Sequence, residues 1–210
     1  MTIAEVPVVG TSSRQEAFMA RQRENLLAAG AEVLVIYGFN ASVDEVVKVS
    51  GVSPTTIYRY FTDKETYLFE SANWAYKAWA MTALPAAAEY GDPIAAFIIP
   101  QRMLLRIKFT HPRFAQILER PDFNIGKIFS TLGGDFLDHY LRLVDGGIVK
   151  DDQPKTRCSL FLVALLQLTT ESIRELSSEE IDPAHELILA ILGFSDKQIK
   201  MAMKYPIPQI

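Results

Sequence analysis

Helix start and stop signals crowd into residues 42–64 of this chain, SVDEVVKVSGVSPTTIYRYFTDK. Ser42 and Glu45 have capping-box spacing, in which each side chain satisfies a free backbone donor at a helix start. Gly51 suits the left-handed residue that ends a helix, and Ser53 suits the cap of the next one. Two short helices joined by a glycine-containing turn make a helix-turn-helix, whose second helix can enter a DNA major groove.

The rest of the chain is also predicted to be helical. Ser13 and Glu16 have capping-box spacing, and Thr62 and Glu65 repeat it, so each pair predicts a helix start. No stretch alternates between apolar and polar residues as a half-buried strand does. We therefore predict an all-α protein with about nine helices. The longer ones are expected over residues 13–37, 63–90, 93–110, 123–144, 154–176 and 183–194, with a polar loop over residues 177–182.

Composition is that of a globular protein, with 49% hydrophobic and 22% charged residues among 210. The longest apolar run, residues 160–166, is far shorter than the roughly 18 residues that a membrane span needs. No basic segment followed by an apolar one begins the chain, so no secretory signal is expected. Cys158 is the single cysteine, which excludes an internal disulfide and indicates a buried thiol in a reducing compartment. We expect a cytoplasmic protein without membrane contact.

Net charge argues against non-specific binding of nucleic acid by the whole chain, because it is −4. The N-terminal part is no more basic, since residues 1–64 carry six Lys or Arg against seven Asp or Glu. Any binding to DNA must therefore depend on where the basic side chains lie. Arg14, Arg21 and Arg23 cluster near the start of the first helix, either as solvated surface or as phosphate contacts beside an N-terminal arm.

Two late helices are apolar on every side, over residues 160–168 and 187–192. A helix of this kind must be buried all round. One solution packs one face on its own subunit and the other on a second copy, which gives a four-helix interface with two-fold symmetry. The alternative is a deep core within one subunit.

Residues of about 21–70 resemble the DNA-binding domain of the TetR family of transcriptional regulators. The match runs through Tyr37-Gly38-Phe39, Ser42-Val43, Val46-Val47, Gly51-Val52-Ser53, Thr56-Ile57-Tyr58, Tyr60-Phe61 and Lys64-Glu65. The resemblance implies a homodimer that binds a palindromic operator and a C-terminal domain whose small effector usually releases the DNA. It divides the chain into a flexible arm (residues 1–12), a helix-turn-helix domain (13–62) and a ligand-binding and dimerisation domain (63–210).

The reading helix of the motif is short, so few side chains can touch bases. Arg59 is the best specificity candidate, because a guanidinium can pair with two acceptors of guanine. Asp44 suits a helix start but repels phosphate, so the preceding helix is expected to contribute little base reading. The predicted DNA contacts are Ser42, Pro54, Thr55, Thr56, Arg59, Tyr60 and Lys64.

Apolar and aromatic side chains of the C-terminal part are candidates for a ligand cavity, although each such side chain is more often plain core. They suggest an apolar or aromatic effector, with no cofactor and no metal. The predicted ligand contacts are Trp79, Phe97, Met103, Arg106, Ile107, Phe114, Phe123 and Leu166, with Arg102, His111, His139 and Glu171 as further polar candidates. The predicted dimer contacts are Phe161, Leu165, Ile188 and Ile191.

Two other functions compete with a ligand-responsive repressor. An enzyme is disfavoured because His111, His139 and His185 are scattered, without metal-binding spacing, and no glycine-rich phosphate loop is present. The acidic balance of the N-terminal part leaves room for a helical protein that binds small molecules or partners and has weak or lost DNA binding.

Overall fold

The computed structural model of the protein describes residues 11–119 and 125–209. Within these ranges the chain forms eleven α-helices and no strand, so the all-α prediction is confirmed. The helices are α1 (Thr11–Tyr37), α2 (Val43–Ser50), α3 (Pro54–Tyr60), α4 (Lys64–Ala88), α5 (Pro93–Leu104), α6 (Ile107–Thr110), α7 (Pro112–Leu118), α8 (Ile125–Asp145), α9 (Pro154–Arg174), α10 (Ser178–Leu189) and α11 (Asp196–Ala202), with a 3₁₀ turn at Ala190–Leu192.

The first helix begins slightly earlier than the sequence predicts. The helix expected from Ser13 already includes Thr11 and Ser12, and the remainder of the expected arm lies outside the described residues. The chain forms two compact units, which end and begin within α4 at Ala75 and Tyr76. The sequence boundary at residue 63 corresponds to the beginning of α4.

The predicted capping signals of α2 and α3 are confirmed. The Ser42 hydroxyl accepts a hydrogen bond from the Glu45 N–H at 3.2 Å, and the Glu45 carboxylate accepts one from the Ser42 N–H at 2.7 Å. Gly51 then adopts a left-handed conformation with φ of 65°, which a side chain would disfavour. The Ser53 hydroxyl caps α3 by accepting from the Thr56 N–H at 3.3 Å.

The predicted cap of α4 is wrong by one residue. The Asp63 carboxylate, rather than the Thr62 hydroxyl, accepts the Thr66 N–H, at 2.6 Å. Thr62 instead donates its hydroxyl to Thr66 Oγ1 at 3.2 Å. An ionised cap also interacts favourably with the helix dipole, which explains the preference for Asp63.

The core of the N-terminal unit is formed by one face of α1, α2, α3 and the first turns of α4. Ile57 and Phe61 are both buried, as expected from their spacing. The Phe61 ring lies 5.0 Å from that of Tyr67, and the Tyr67 hydroxyl donates to the Leu26 carbonyl at 2.9 Å. Arg23 forms an ion pair with Glu70 and lies over the Phe61 ring. These contacts hold α3 against α1 and α4.

The core of the C-terminal unit gathers side chains of α5, α8, α9, α10, the 3₁₀ turn and α11. Tyr140 is fully buried, and its hydroxyl lies 2.6 Å from both the Asp151 carboxylate and the Leu192 carbonyl. Cys158 is buried in the same core, which raises the pKa of its thiol to about 11. An inert buried thiol, as predicted, is the result.

The segment predicted as a polar loop before α10 is helical. Ser177 and Glu180 form a capping box, so α10 begins at Ser178 and Pro183 lies inside it. Pro183 is the sixth residue of the helix, close enough to its N-terminus for the proline to remove little helical hydrogen bonding. The expected start at Pro183 is therefore wrong by about one turn.

Two of the four predicted dimer contacts face inward. Phe161 and Leu165 have exposures of 0% and 2%, so the protomer's own core already covers them. Ile188 and Ile191 are half-buried against the same core. The exposed apolar side chains of α9 and α10 are instead Leu160, Val163 and Leu187, at 59%, 67% and 77%. When a helix is apolar on every side, its sequence does not show which face packs on the core and which is exposed.

No helix within residues 11–119 and 125–209 is long and apolar enough to cross a membrane.

Replacing Gly30 by alanine should destabilise the N-terminal unit. An alanine Cβ at Gly30 of α1 would lie 2.8 Å from Ser71 Cβ and 2.9 Å from Tyr67 Cζ of α4. We expect Gly30→Ala to lower the free energy of unfolding by about 1–3 kcal/mol, as overpacking does. Urea unfolding followed by circular dichroism measures this change.

Gly134→Ala in α8 is the control, because a Cβ there meets nothing within 4 Å and helix propensity favours alanine by roughly 0.5–1 kcal/mol. Equal effects of both changes would contradict the close packing of α1 and α4.

Candidate DNA-reading helix and ligand cavity

The exposed face of α3 is formed by Pro54, Thr55, Tyr58 and Arg59, of which Pro54 is half-buried. Arg59 is exposed, and it forms no ion pair with any residue of the described ranges. Its guanidinium can therefore turn to an external acceptor without breaking an internal bond. Tyr58 is 47% exposed and was not among the predicted contacts, because its position in the sequence lies between the two faces of the helix.

The other predicted DNA contacts already have partners within the N-terminal unit. The Ser42 hydroxyl bonds the Glu45 carboxylate at 2.9 Å, and Thr56 Oγ1 lies 3.0 Å from Ser53 Oγ. The Tyr60 hydroxyl donates to Met19 Sδ at 3.3 Å. These side chains fix the backbone of α2 and α3, and any phosphate would have to share or replace their bonds.

Lys64 joins the beginning of α4 to the turn before α2. Its ammonium donates to the Ala41 carbonyl at 2.8 Å and lies 3.7 Å from Glu65 Oε1. The side chain is 22% exposed. Because an ammonium has three donors, one contact to Ala41 leaves capacity for a phosphate. Lys64 therefore also has a structural role that its sequence position did not reveal.

The C-terminal unit encloses a cavity of about 820 Å³ between α4, α5, α8 and α9. On α5, the residues that line it recur at intervals of three, one and three, so they share one helix face. The lining is Tyr76, Lys77, Trp79, Ala80, Met81, Leu84 and Pro85 of α4; Phe97, Pro100, Gln101 and Leu104 of α5; Asp135, Phe136, Asp138, His139 and Arg142 of α8; and Leu162 and Leu165 of α9.

The buried walls of the cavity are aromatic. The Phe97 ring lies 4.9 Å from Phe136 and 5.2 Å from His139, the latter edge to face. The Trp79 ring lies 5.6 Å from Tyr76. Burial, assisted by Asp135, raises the pKa of Tyr76 to about 12, so its phenol is neutral at pH 7. A flat apolar ligand would find ring faces and edges on several sides.

Charged side chains of the lining are exposed, whereas the buried lining is neutral. Lys77, Asp135, Asp138 and Arg142 are all exposed and so mark the mouth. Burial, with a smaller effect of Arg142, lowers the pKa of His139, so that its imidazole is neutral at pH 7. The cavity therefore presents an uncharged interior behind a mouth of mixed charge.

Gln101 is the one buried lining residue with a side-chain amide, and both ends of that amide are bonded. Its Nε2 donates to the Phe97 carbonyl at 2.9 Å, and its Oε1 lies 2.9 Å from His185 Nε2. Since the amide oxygen must face the histidine, Nε2 of His185 carries the proton. Burial lowers the pKa of His185 to about 3, so the ring stays neutral and holds Gln101 in place.

An ion cluster lies beside this pair. Asp182 of α10 accepts two bonds from Arg102, at 2.8 and 3.1 Å, and one from Arg106 at 2.9 Å. Burial opposes ionisation of Asp182, but the two guanidinium groups outweigh it and lower the pKa of the carboxyl. The cluster fixes α5 against α10 and so helps position the cavity wall that α5 provides.

A sequence profile described as bacterial regulatory proteins, tetR family, matches residues 26–70. This range includes every predicted DNA contact from Ser42 to Lys64 and the whole of α2 and α3. Within the N-terminal unit, the sequence of residues 26–70 is therefore TetR-like. No curated protein sequence matches it.

Solved structures of TetR-type fold resemble the chain over most of its length. RolR without ligand is 16% identical with a TM-score of 0.69, and the match covers 89% of this chain and 98% of RolR. RolR in complex with resorcinol is 16% identical with a TM-score of 0.73, covering 92% and 99%. A TetR-family transcriptional regulator from Syntrophomonas wolfei is 17% identical with a TM-score of 0.55, covering 90% and 98%. At these identities the likeness concerns the fold.

The ligand contacts predicted from sequence only partly coincide with the residues that line the cavity. Trp79 and Phe97 line it, and so does His139. Met103, Ile107 and Phe114 are buried elsewhere in the core, Leu166 is half-buried outside the lining, and Arg106 bonds Asp182. Phe123 lies outside the described residues. Met103 is on a different side of α5 from the face that the cavity uses, and Ile107 is on α6, which contributes no lining residue.

The remaining polar candidates of the sequence have local roles. Arg102 bonds Asp182, His111 Nδ1 lies 3.0 Å from the Thr110 hydroxyl, and Glu171 accepts from Gln167 at 2.9 Å. No group of three His, Cys, Asp or Glu side chains that could hold a metal occurs in the part of the chain that the structure describes.

The neutral state of His185 should make the protein less stable in mild acid. Its pKa is lowered to about 3 in the fold but is about 6.5 in an unfolded chain. Below pH ~6.5 the unfolded state takes up a proton that the folded state refuses, so stability falls as pH drops, by at most about 1.4 kcal/mol per pH unit. His185→Gln should flatten this dependence between pH 5 and 6.5, as measured by urea unfolding. The difference between variant and wild type should be constant from pH 7 to 8. Identical slopes in mild acid would contradict the assignment.

Proposed function

We propose that the protein is a ligand-responsive transcriptional repressor that binds a palindromic operator as a homodimer and is released by a small, uncharged effector. The observation that supports it most is an exposed, capped α3 with an unpaired Arg59, combined in one chain with an aromatic cavity in the other unit. We infer no catalytic role.

Direct base reading is assigned chiefly to Arg59, with Pro54, Thr55 and Tyr58 beside it. A guanidinium can donate two parallel bonds to O6 and N7 of guanine, which discriminates against other bases by about 1–3 kcal/mol. Ser42, Thr56, Tyr60 and Lys64 are assigned to the phosphate backbone, together with the positioning of α2 and α3. Two reading helices in a dimer would meet successive major grooves about 34–36 Å apart.

The effector is assigned to the cavity of the C-terminal unit. RolR, which shares the fold, has been solved with resorcinol, a small aromatic compound. The aromatic walls around Phe97 and Trp79 suit a compound of that class. Helix α4 supplies seven lining residues of the cavity and begins at Lys64 in the N-terminal unit. We infer that α4 transmits the effect of the ligand, for which a coupling of roughly 1–3 kcal/mol would suffice.

The dimer is assigned to the exposed apolar face of α9 and α10. Leu160, Val163 and Leu187 are all more than half exposed, and Ile188 and Ile191 adjoin them while packing on their own core. Large apolar side chains exposed together on two packed helices are typical of an interaction surface. A second copy related by two-fold symmetry would cover it with the same residues.

Replacing Arg59 should relax sequence preference. Selection of bound duplexes from a random pool, at two salt concentrations, measures preference and salt dependence without a known operator. We expect Arg59→Ala to lose about 1–3 kcal/mol of discrimination at one guanine position. Arg59→Lys is the matched control for charge, since it keeps the attraction to phosphate but lacks the rigid planar fork of the guanidinium. It should weaken the guanine preference, although an ammonium can still donate to O6 and N7.

Three results would count against this assignment. An unchanged guanine preference in Arg59→Ala would show that another residue reads the base. Full retention of the preference in Arg59→Lys would show that the planar fork of the guanidinium is not what reads the guanine. No enrichment by the wild-type chain would favour a ligand-binding protein that has lost DNA binding.

Replacing Leu187 should weaken the dimer. Leu187 is 77% exposed in the protomer, and a glutamate there would place a charge in the proposed interface. We expect Leu187→Glu to raise the dimer dissociation constant at least about tenfold, since burial of a leucine contributes roughly 1.5–3 kcal/mol. Sedimentation velocity over a concentration series measures it. Met201→Glu on α11, where Met201 is 52% exposed, is the control and should leave the dimer unchanged. A monomeric wild-type chain would contradict the proposal.

A further inference from the structure

The indole N–H of Trp79 has no hydrogen-bond partner although Trp79 lines the cavity and is only 7% exposed. Within the described residues, His185 Nδ1 is the other buried side-chain nitrogen or oxygen without a hydrogen-bond partner. His185 does not line the cavity. A buried donor without a partner is costly, so such groups are rare and call for an explanation. An indole N–H can only donate, so what it lacks is an acceptor.

No buried polar side chain that lines the cavity accepts a hydrogen bond from the Trp79 indole N–H. The Gln101 oxygen lies 2.9 Å from His185 Nε2, and the Gln101 amide nitrogen donates to Phe97. The pair between Gln101 and buried His185 keeps that amide in one orientation. Among the described lining residues, Trp79 therefore carries the one buried side-chain donor that no protein atom satisfies.

The surroundings of Trp79 define the rest of that molecule. Tyr76 packs on Trp79 at 5.6 Å, and the rings of Phe97 and Phe136 lie 4.9 Å apart on another part of the wall. Such walls bind a ring by its faces and edges. The charged lining groups are two cations, Lys77 and Arg142, and two anions, Asp135 and Asp138, so they sum to zero.

We propose that Trp79 Nε1 is the donor that selects the effector, which is an uncharged aromatic compound with an oxygen acceptor on or next to its ring. The donor-only chemistry of the indole discriminates against hydrocarbons, which have no acceptor, and against ammonium groups, which have only donors. The inference rests on the proposed function only in taking this cavity as the effector site.

Nuclear magnetic resonance of the wild-type chain tests the contact directly. The chain has two tryptophans, Trp74 and Trp79, so an ¹⁵N-labelled sample has two indole N–H signals. Trp74→Phe assigns them by removing one. Acetophenone, whose oxygen is an acceptor only, should move the Trp79 signal downfield, and isopropylbenzene, of nearly the same shape, should not. Resorcinol serves as a second acceptor-bearing probe.

Calorimetry on Trp79→Phe measures the energetic effect without DNA. Phenylalanine keeps an aromatic ring but removes the N–H. We expect acetophenone to bind about tenfold more weakly to Trp79→Phe than to wild type, and isopropylbenzene to change less than about threefold. Comparing the two ligands cancels any loss of packing that the substitution causes. Trp74→Phe, the same change on the same helix but outside the lining, should affect neither ligand. The 1-phenylethylammonium ion should bind more weakly than acetophenone to the wild type.

Each other outcome overturns the proposal. An equal loss for both ligands would make Trp79 a packing residue, and an unmoved indole signal in saturated protein would exclude the hydrogen bond. Absence of binding by both acetophenone and resorcinol at millimolar concentration would exclude the ligand class. The regulatory function fails separately, if acetophenone binds through Trp79 but leaves the protein–DNA complex unchanged in a gel shift.

Discussion

A helix as short as α3 is not stable in water by itself, because seven residues form few internal hydrogen bonds for the cost of nucleation. Its position depends on the burial of Ile57 within it and Phe61 directly after it. The Phe61 ring in turn packs on Tyr67 of α4, which donates to the Leu26 carbonyl of α1. The exposed face that carries Arg59 is therefore only as rigid as this small core. The close approach of α1 and α4 at Gly30 allows the core to form.

Local sequence signals predicted the helices of the N-terminal unit well, because the caps and turns that bound α2 and α3 act over only a few residues. Ser42 with Glu45, Gly51 and Ser53 each act on a backbone group within a few residues, and all behave as expected. The errors at Thr62 and Pro183 have the same origin. In both places another capping group lies earlier or closer than the pattern indicated: Asp63 directly follows Thr62, and Ser177 lies six residues before Pro183.

The C-terminal unit was less predictable because its site depends on which helix face turns inward. Phe161 and Leu165 are as apolar as Leu160 and Val163, yet the first two are in the core and the last two are exposed. Likewise, nothing in the sequence around Met103 distinguishes it from Leu104, which lines the cavity. Periodicity shows that a helix is amphipathic, but a helix that is apolar all round carries no such information. The partners that resolve it lie on distant helices.

The buried polar groups of α5 illustrate how the cavity wall is held. Arg102 of α5 and half-buried Arg106, which directly precedes α6, would be costly near the core if Asp182 did not accept from both. Gln101 would be costly without Phe97 and His185. Each of these bonds ties α5 or the turn after it to α10 or to its own backbone, so the wall has little freedom to adapt to a ligand.

Trp79 is on α4, outside this network, and its N–H is unsatisfied. A ligand can shift a conformational equilibrium only by its difference in affinity for the two states. A bound acceptor would provide that difference if Trp79 meets it in one position of α4 and loses it in another. By reciprocity, DNA would weaken such a ligand by the same factor as the ligand weakens DNA.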